Sequence, residues 1–254
     1  MGGAVASALC SGSGYAVSVY SAGKSAKAFV EKHKNAHLSA SLEELVKDNE
    51  ILVIAVKPQV LPSLYEDLNR AGSKDRKWIS LAAGVSLATL TSRLGSPDIV
   101  RFMPNIAASV GRSVTAVAAA AEADKAFAET AFAIAGAFGS AFYLEERLFG
   151  AFIGVSASAI AYICQFIHAL GLGGCREGIA YDKAVTMAAD TMTGAVELLK
   201  ASDKNAVELE SSVCSAGGTT VEGVKVLEQA GFNGIVMDAV SAAARRAKEL
   251  EKNA

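Results

Sequence analysis

A chain of 254 residues can hold one large domain or two small ones. Charged residues make up 20% of the sequence and the formal net charge is -2, which excludes a strongly basic surface for nucleic acid. The four cysteines and three histidines lack the spacing of a metal site, so we predict no bound metal and free thiols in a reducing compartment.

Residues 1–9 read as the first helix of a dinucleotide-binding fold. In that fold a strand and a Gly-x-Gly-x-x-Gly turn come before the helix, and the pyrophosphate lies on the helix N-terminus. Gly2 corresponds to the third glycine, which predicts a cofactor contact there. We expect the codons upstream of Met1 to encode the first strand and the other two glycines; a fragment that has lost cofactor binding is the alternative. No charged-then-apolar leader is seen, so we expect a cytoplasmic protein.

Strand-like and helix-like runs alternate in the first half, which predicts a Rossmann-like, mostly parallel α/β sheet that lacks its first strand. Residues 113–118 are ambiguous, because alanine favours a helix whereas Val114, Thr115 and Val117 favour a strand; we predict a strand. The predicted strands are residues 15–20, 50–56, 78–82, 99–102, 113–118 and 141–144, and the next predicted helices are residues 25–34 and 122–137.

From residue 145 onward the pattern is helical, with predicted breaks at the glycine clusters of residues 171–174 and 217–218. The change in composition near residue 146 predicts a domain boundary. We therefore divide the chain into a dinucleotide-binding domain, residues 1–146, and an all-α oligomerisation domain, residues 147–254.

Residues 149–175 contain no Asp, Glu, Lys or Arg, so by length alone they could span a membrane. Polar residues interrupt the run, and no Lys/Arg bias flanks it of the kind that orients membrane helices. A helix that is apolar on every side is also typical of an oligomer core, which is the interpretation we favour.

A glycine- and threonine-rich segment, residues 213–223, directly precedes an amphipathic helical run. Thr219 and Glu222 have the Thr-x-x-Glu spacing of a capping box, which predicts Thr219 as the N-cap of a helix. The first N–H groups of a helix lack internal partners, and Gly217 and Gly218 would let an anion approach them. The segment predicts a carboxylate-binding backbone; an ordinary glycine-rich loop with a helix cap is the alternative.

Three other segments have recognisable sequences: Ala-Val-Lys-Pro-Gln at residues 55–59, Ser-Leu-Ala-Ala-Gly-Val at 80–85 and Arg-Phe-Met-Pro-Asn at 101–105. Together with Ser-Ala-Gly-Gly-Thr-Thr at 215–220, they resemble the motifs of the pyrroline-5-carboxylate reductase family, in the same order and with fitting spacing. One such motif is a weak signal, whereas four in order, over essentially the whole chain, are a strong one.

The resemblance implies reduction of L-1-pyrroline-5-carboxylate to L-proline, the last step of proline biosynthesis, with NADPH as cofactor and NAD as the alternative. It implies that the backbone of Gly217, Gly218 and Thr219 holds the substrate carboxylate. Thr220 would then meet the ring nitrogen as the catalytic contact, and Ser215 would line the pocket. A homodimer or larger homo-oligomer through the C-terminal helices is also implied, with no membrane or nucleic-acid partner.

The cofactor is expected at the carboxyl ends of the parallel strands, where loops line the nucleotide crevice. For Lys57 and Asn105, a solvated strand end and a simple turn are the alternatives. The predicted contacts, besides Gly2, are Ala55, Val56, Lys57, Pro58, Ala82, Ala83, Gly84 and Asn105.

Residues 20–24, which follow the predicted second strand, contain no acidic residue. An acid there would bind a ribose 2′-hydroxyl and repel a 2′-phosphate, so its absence favours NADP, with Ser21 and Lys24 as predicted contacts. Ala22 stands where the family has an Arg. The other departures from the family pattern are Leu42 for Asn, Ala157 and Ala159 for Gly, Ile160 for Pro and Ala216 for Pro.

Two other functions remain open. A non-catalytic helical oligomer or metabolite-binding relative would explain the missing glycines, but not the retained Ala-Val-Lys-Pro-Gln and Gly-Gly-Thr-Thr segments. A related dehydrogenase that acts on another imine or hydroxy acid would need a Lys or His proton donor, which the sequence does not place.

Overall fold

The computed structural model describes residues 1–11 and 14–252, which form two compact units. The first unit runs from Met1 to Ala157 and also takes in the C-terminal residues from Ala243 onward. The second unit consists of residues 158–242. The domain boundary predicted at residue 146 from the change in composition stays a prediction; the two compact units divide at Ala157 and Ser158.

Strands and helices alternate along the first unit, and each strand and helix predicted there exists, with ends that differ by a few residues. The strands are β1 (Val17–Val19), β2 (Ala36–Leu38), β3 (Ile51–Ile54), β4 (Lys77–Ser80), β5 (Ile99–Met103), β6 (Ser113–Ala119) and β7 (Gly139–Tyr143). The helices are α1 (Gly2–Cys10), α2 (Ser25–Lys32), α3 (Leu42–Asp48), α4 (Leu61–Arg70), α5 (Leu87–Leu94), α6 (Lys125–Gly136) and α7 (Phe149–Phe152).

The strands form two sheets. Five of them lie in the order β3-β4-β5-β6-β7, parallel except for the antiparallel pair β5–β6, while β1 and β2 form a separate parallel pair. The mostly parallel, Rossmann-like α/β prediction is therefore confirmed. Within the described ranges, β1 and β3 each pair with a single neighbour. Val17 and Ile51, one from each sheet, pack against the same apolar cluster.

Helices cover both faces of the five-stranded sheet, because successive strand side chains point to opposite sides. Trp78 packs with α3, α4 and α5 on one face, while its neighbour Ile79 packs with α1 and α6 on the other. In β5, Ile99 and Val100 divide in the same way. This double-sided burial explains why these strands read as continuous apolar runs rather than as alternating ones.

Four elements lie outside the predicted set: β2, α3, α4 and α5. β2 spans only three residues, too few for a strand pattern, whereas α4 is clearly amphipathic and buries Leu61, Tyr65 and Leu68 on one side, so its pattern could have located it. The other two helices begin at a serine cap. Ser41 Oγ accepts a hydrogen bond from the Glu44 N–H at 3.1 Å, and Ser86 Oγ accepts one from the Thr89 N–H at 3.1 Å. These caps were the sequence signal that could have located α3 and α5.

The second unit is helical, as predicted. A π-helical turn, Ile153–Ala157, closes the first unit and leads into it. Its helices are α8 (Ala159–Arg176), α9 (Tyr181–Ala201), α10 (Ala206–Val213), α11 (Thr219–Gln229) and the first half of α12 (Phe232–Lys252). Within the unit, Tyr162 donates a hydrogen bond to the Ala239 carbonyl at 3.3 Å, which joins α8 to α12.

The predicted helix break at residues 171–174 is wrong, because α8 continues through them. A Cβ on Gly171 would lie 2.5 Å from Val185 Cγ2, and one on Gly174 would lie 2.7 Å from Ala184 Cβ. These glycines therefore permit α9 to pack closely on α8 instead of ending the helix. The chain turns later, at Gly178, where φ is +93°.

The helical stretch Glu146–Arg176 is the one segment, among the described residues, that is long and apolar enough to cross a membrane by length and composition. In a single chain it is mostly exposed, with only 11% of its most apolar window buried. Leu170 and Leu172 are 43% and 52% exposed. Its apolar surface is therefore larger than this chain alone covers.

Gly139→Ala should destabilise the first unit by about 1–3 kcal/mol, the usual range for forcing atoms into a packed position. Gly139 begins β7 with φ +150°, and a Cβ there would lie 2.0 Å from the Ser113 carbonyl oxygen on β6. Gly136→Ala is the matched control, since no atom outside the neighbouring residues of its own helix lies within 4 Å of the added Cβ. Urea unfolding measures both variants; equal stabilities would contradict this account of the β6–β7 pairing.

Candidate functional site

Three predicted cofactor loops meet at one edge of the five-stranded sheet. Residues 55–58 follow β3, residues 82–84 follow β4, and Asn105 comes two residues after β5. Because β3, β4 and β5 run parallel, their carboxyl ends lie at the same edge. The Leu81 N–H donates to the Ile54 carbonyl at 2.9 Å, which carries the pairing of β3 and β4 up to this edge.

Gly2 brings the N-terminus of α1 to the same edge. A Cβ on Gly2 would lie 2.6 Å from the Ala55 Cβ, which is too close for two carbon atoms that are not bonded to each other. Glycine at position 2 is therefore what allows the helix to approach the end of β3. The first N–H groups of α1 have no partner within the helix, so this helix end is suited to an anion. The cofactor contact at Gly2 stays a prediction.

The loops after β3 and β4 differ in exposure. Ala55 and Lys57 are exposed, and Pro58 begins a short 3₁₀ turn in which the Val60 N–H donates to the Lys57 carbonyl. Ala82, by contrast, is 1% exposed. Gly84 adopts φ +77°, which lets the chain turn sharply from β4 into α5. A ligand at this edge would therefore meet Lys57 by its side chain and the second loop mainly by its backbone.

Asn105 directs its side chain into the protein. The Oδ1 atom accepts from the Ala107 N–H at 3.1 Å, and Nδ2 donates to Ser156 Oγ at 3.1 Å. Asn105 and Ser156 are only 5% and 8% exposed. The backbone of Asn105 is bonded as well, because its N–H donates to Ser113 Oγ and its carbonyl accepts from the Ala108 N–H, both at 3.2 Å. The predicted cofactor contact of Asn105 stays a prediction.

Ser21 and Lys24, the predicted specificity residues, follow β1 in the two-stranded sheet. Ser21 Oγ accepts hydrogen bonds from the Ala26 N–H at 3.1 Å and from Ser25 Oγ at 2.9 Å, and it donates to the Gly23 carbonyl at 3.0 Å. The Ser21 hydroxyl therefore shapes the start of α2. Lys24 is exposed and directly precedes α2, so its ammonium group can reach solution.

Arg101, which the sequence motif contains but which we did not predict as a site residue, is 1% exposed in β5. Its Nη1 lies 2.7 Å from Glu146 Oε1, and its Nη2 lies 2.9 Å from Glu251 Oε1. The guanidinium also lies 5.0 Å from the centre of the Phe149 ring. An arginine within an otherwise apolar strand was the signal, because a charge there must be paired.

The predicted substrate loop lies in the second unit, between α10 and α11. The Gly218 N–H donates to the Ser215 carbonyl at 3.0 Å, and Gly217 has φ +69°, the geometry of a tight turn with glycine at its third position. A Cβ on Gly218 would lie 2.3 Å from Ser215 Oγ. Gly217 is thus favoured by its positive φ, whereas a side chain at position 218 would displace the Ser215 hydroxyl.

The prediction that Thr219 caps the helix is wrong. α11 begins at Thr219, the cap position belongs to Gly218, and no capping box forms with Glu222. The turn that Gly217 and Gly218 make delivers the chain into the helix one residue earlier than the Thr-x-x-Glu spacing suggests. Since glycine has no side chain to accept a hydrogen bond, the first N–H groups of α11 stay available to a ligand.

Thr220 is the second residue of α11 and is half-buried. Threonines inside α9 donate to the carbonyl four residues earlier, as Thr186, Thr191 and Thr193 do at 2.9, 2.7 and 3.0 Å. Four residues before Thr220 is Ala216, which lies outside the helix. The Thr220 hydroxyl therefore lacks the helical carbonyl that occupies the hydroxyl groups of the other three.

Two protein-family models match the chain. The model described as pyrroline-5-carboxylate reductase dimerisation matches residues 146–250. The model described as NADP oxidoreductase, coenzyme F420-dependent, matches residues 1–84. The first match contains the Ser215–Thr220 loop, and the second contains Gly2 and the loops after β3 and β4.

Individual proteins show the same likeness. The pyrroline-5-carboxylate reductase of Synechocystis is 37% identical over 225 residues, which cover 88% of this chain and 84% of the relative. A solved pyrroline-5-carboxylate reductase from Coxiella burnetii aligns with a TM-score of 0.88 and 28% identity, over 97% of this chain and 93% of that one. The Plasmodium falciparum pyrroline carboxylate reductase, solved with NADP bound, aligns with a TM-score of 0.84 and 25% identity, over 99% of this chain and 94% of that one.

Thr219→Ala should leave the free energy of unfolding within about 0.5 kcal/mol of the unsubstituted value, because Thr219 is not a cap. A capping threonine would lose roughly 1 kcal/mol. Gly218→Ala should be destabilising, since its Cβ would collide with Ser215 Oγ, and Ser215→Ala in the same chain should recover part of the loss. Urea unfolding tests all three. A loss at Thr219 larger than the loss at Gly218 would restore the capping interpretation.

Proposed function

Because the chain belongs to the pyrroline-5-carboxylate reductase family, we propose that it reduces L-1-pyrroline-5-carboxylate to L-proline, the last step of proline biosynthesis, with NADPH. The reaction is that of an NAD(P)H-dependent oxidoreductase acting on a cyclic imine. One observation carries the proposal at the level of the site: the turn at Gly217 and Gly218 delivers α11 with its first N–H groups available. That is the feature a small carboxylate substrate requires.

The residues at the sheet edge fit a dinucleotide. Only glycine fits at position 2 against Ala55, and Gly84 turns the second loop with a positive φ, so backbone can approach a ligand at both places. When bound, the cofactor supplies the hydride. The groups proposed to hold and orient it are Gly2, residues 55–58, residues 82–84 and Asn105.

The substrate would be bound by its carboxylate and its ring nitrogen. The N–H groups of Gly217 and Thr219 are proposed to hold the carboxylate; the Gly218 N–H closes the turn by its bond to Ser215, so Gly218 acts through the shape it allows. The Thr220 hydroxyl is proposed to meet the ring nitrogen, and Ser215 to line the pocket. Fixing both ends of a small ring sets the face that is reduced, which is catalysis by positioning.

The preference for NADPH rests on charge at the end of β1. Residues 20–24 contain no carboxylate that would repel a 2′-phosphate, and Lys24 supplies a cation. The Ser21 hydroxyl fixes the shape of this loop by its bonds to Gly23, Ser25 and Ala26. Ala22 lacks the positive charge that the family has there, so Lys24 is the main proposed anchor.

The C-terminal helices are proposed to pair with a second copy of the chain in the cytoplasm. The match of residues 146–250 to a dimerisation family model supports a homodimer or larger homo-oligomer. The exposed apolar surface of α8, including Leu170 and Leu172, is the kind of surface a second copy would cover. In functional terms, residues 1–146 would bind the dinucleotide, and residues 147–254 would bind substrate and assemble the oligomer.

The purified chain should oxidise NADPH in the presence of pyrroline-5-carboxylate, with a higher kcat/KM for NADPH than for NADH. Ser21→Asp should reverse the preference, lowering kcat/KM for NADPH by about tenfold, because its carboxylate would repel the 2′-phosphate. Absorbance of the reduced cofactor measures both reactions. Equal rates with the two cofactors would contradict the proposed specificity, and no turnover with either would favour the non-catalytic alternative.

Thr220→Val keeps the shape of the side chain and removes its hydroxyl. We expect kcat to fall by about tenfold to a hundredfold, the effect of one positioned hydrogen bond worth roughly 1.5–3 kcal/mol. The contact should matter more in the transition state than in substrate binding, because the ring nitrogen changes its bonding during hydride transfer. Thr220→Ser is the matched control and should retain most of kcat. Steady-state kinetics of the two variants would refute the role of the hydroxyl if both lost kcat equally.

A further inference from the structure

The loop formed by Ala82, Ala83 and Gly84 leads into a helix whose first turn is hydrogen-bonded to Glu146, a residue outside the sequence motifs. The loop runs into α5, whose cap is Ser86. The N–H of the next residue, Leu87, donates to Glu146 Oε1 at 2.7 Å. A carboxylate that is distant in sequence therefore occupies a first-turn donor of α5, where negative charge is favoured.

Glu146 is itself held in place by a buried charge. The same Oε1 atom lies 2.7 Å from Arg101 Nη1, and Arg101 is 1% exposed. A guanidinium stays protonated and has a fixed planar shape, so its partner is held in position as well as in charge. Arg101 lies in β5, the strand beside β4. The anchor is therefore part of the rigid sheet.

Glu251 also pairs with Arg101, but among the described residues it has no hydrogen bond to the backbone of α5. Its Oε1 lies 2.9 Å from Arg101 Nη2, and this is the one hydrogen bond that its side chain makes among the described residues. Glu146 and Glu251 thus neutralise one guanidinium together, and losing either leaves Arg101 short of one carboxylate. Only Glu146 also holds the backbone that leaves the loop. This difference separates an effect on the loop from an effect on stability.

We propose that Glu146 is a positioning residue for the dinucleotide. Through the Leu87 N–H it fixes residues 82–84 in the shape that meets the cofactor, with Arg101 as its anchor in the sheet. The inference rests on the proposed function, since it requires the cofactor to bind at this loop. It adds to that function a residue whose carboxylate accepts a hydrogen bond from the backbone that follows the loop and is itself paired with a buried arginine.

The test compares Glu146→Ala with Glu251→Ala in the full chain. Both should lower the urea midpoint, because both leave Arg101 with a single partner. Glu146→Ala should raise the Kd for NADPH, measured by fluorescence, by about tenfold, the scale of a misplaced binding group, while Glu251→Ala stays within about twofold. Glu146→Gln keeps an oxygen that accepts from the Leu87 N–H, so it should recover most of the affinity and provides the comparison if Glu146→Ala folds poorly.

A second measurement needs no cofactor. Amide hydrogen exchange at residues 82–90 should accelerate in Glu146→Ala and stay unchanged in Glu251→Ala. The proposal is overturned if the two alanine variants weaken NADPH binding equally, or if Glu146→Ala leaves both the Kd and the exchange unchanged. A chain that binds NADPH but never turns over pyrroline-5-carboxylate would refute the proposed function, while the Kd and exchange results would still decide the role of Glu146.

Discussion

A single buried charge constrains the arrangement of the first unit. Arg101 lies in β5 at 1% exposure, and its guanidinium cannot be neutralised by losing a proton. The strand can be buried only where carboxylates meet this group, because an unpaired charge in the interior costs several kcal/mol. Glu146 and Glu251 meet it from 45 and 150 residues further along the chain. The charge therefore brings together parts of the chain that no local pattern links.

The same network reaches the edge where the cofactor is proposed to bind. Glu146 joins Arg101 to the Leu87 N–H, and the loop after β4 lies directly before that helix. At the end of β3, the strand next to β4, Gly2 lets α1 approach Ala55 more closely than a residue with a Cβ could. One contact supports the edge by charge and the other by the absence of a Cβ. Both hold backbone in place, which suits the proposed binding of the cofactor phosphates by backbone N–H groups.

The loop before α11 follows a different rule, because it leaves helix donors open. Gly218 occupies the cap position, where a polar side chain would stabilise the helix but would also cover the first N–H groups. A modest loss of helix stability thus leaves these N–H groups open to the carboxylate that we propose they bind. One departure from the family pattern, Ala216 in place of Pro, lies in this loop. Two others, Ala159 and Ile160 in place of Gly and Pro, are in the first turn of α8, where they favour a continuous helix.

The sequence by itself determined what depends on local periodicity and on short motifs. It predicted the alternating strands and helices, resolved residues 113–118 as the strand β6, and identified the family. These succeed because a buried strand and a fully apolar helix leave their pattern within a few neighbouring residues. The residues assigned to substrate and cofactor come from the motifs, and the structure adds where their backbone and side chains lie.

Only the tertiary structure decided the features that depend on partners far away in sequence. It gave Arg101 its two carboxylates, turned Asn105 toward Ser156, and placed the N-cap of α11 at Gly218 instead of Thr219. It also showed that the glycines at residues 171–174 permit helix packing, although a glycine cluster reads locally as a break. The physical reason is common to all of these: a side chain's partner, or the lack of room for a Cβ, is set by another part of the folded chain, and the local sequence carries no record of it.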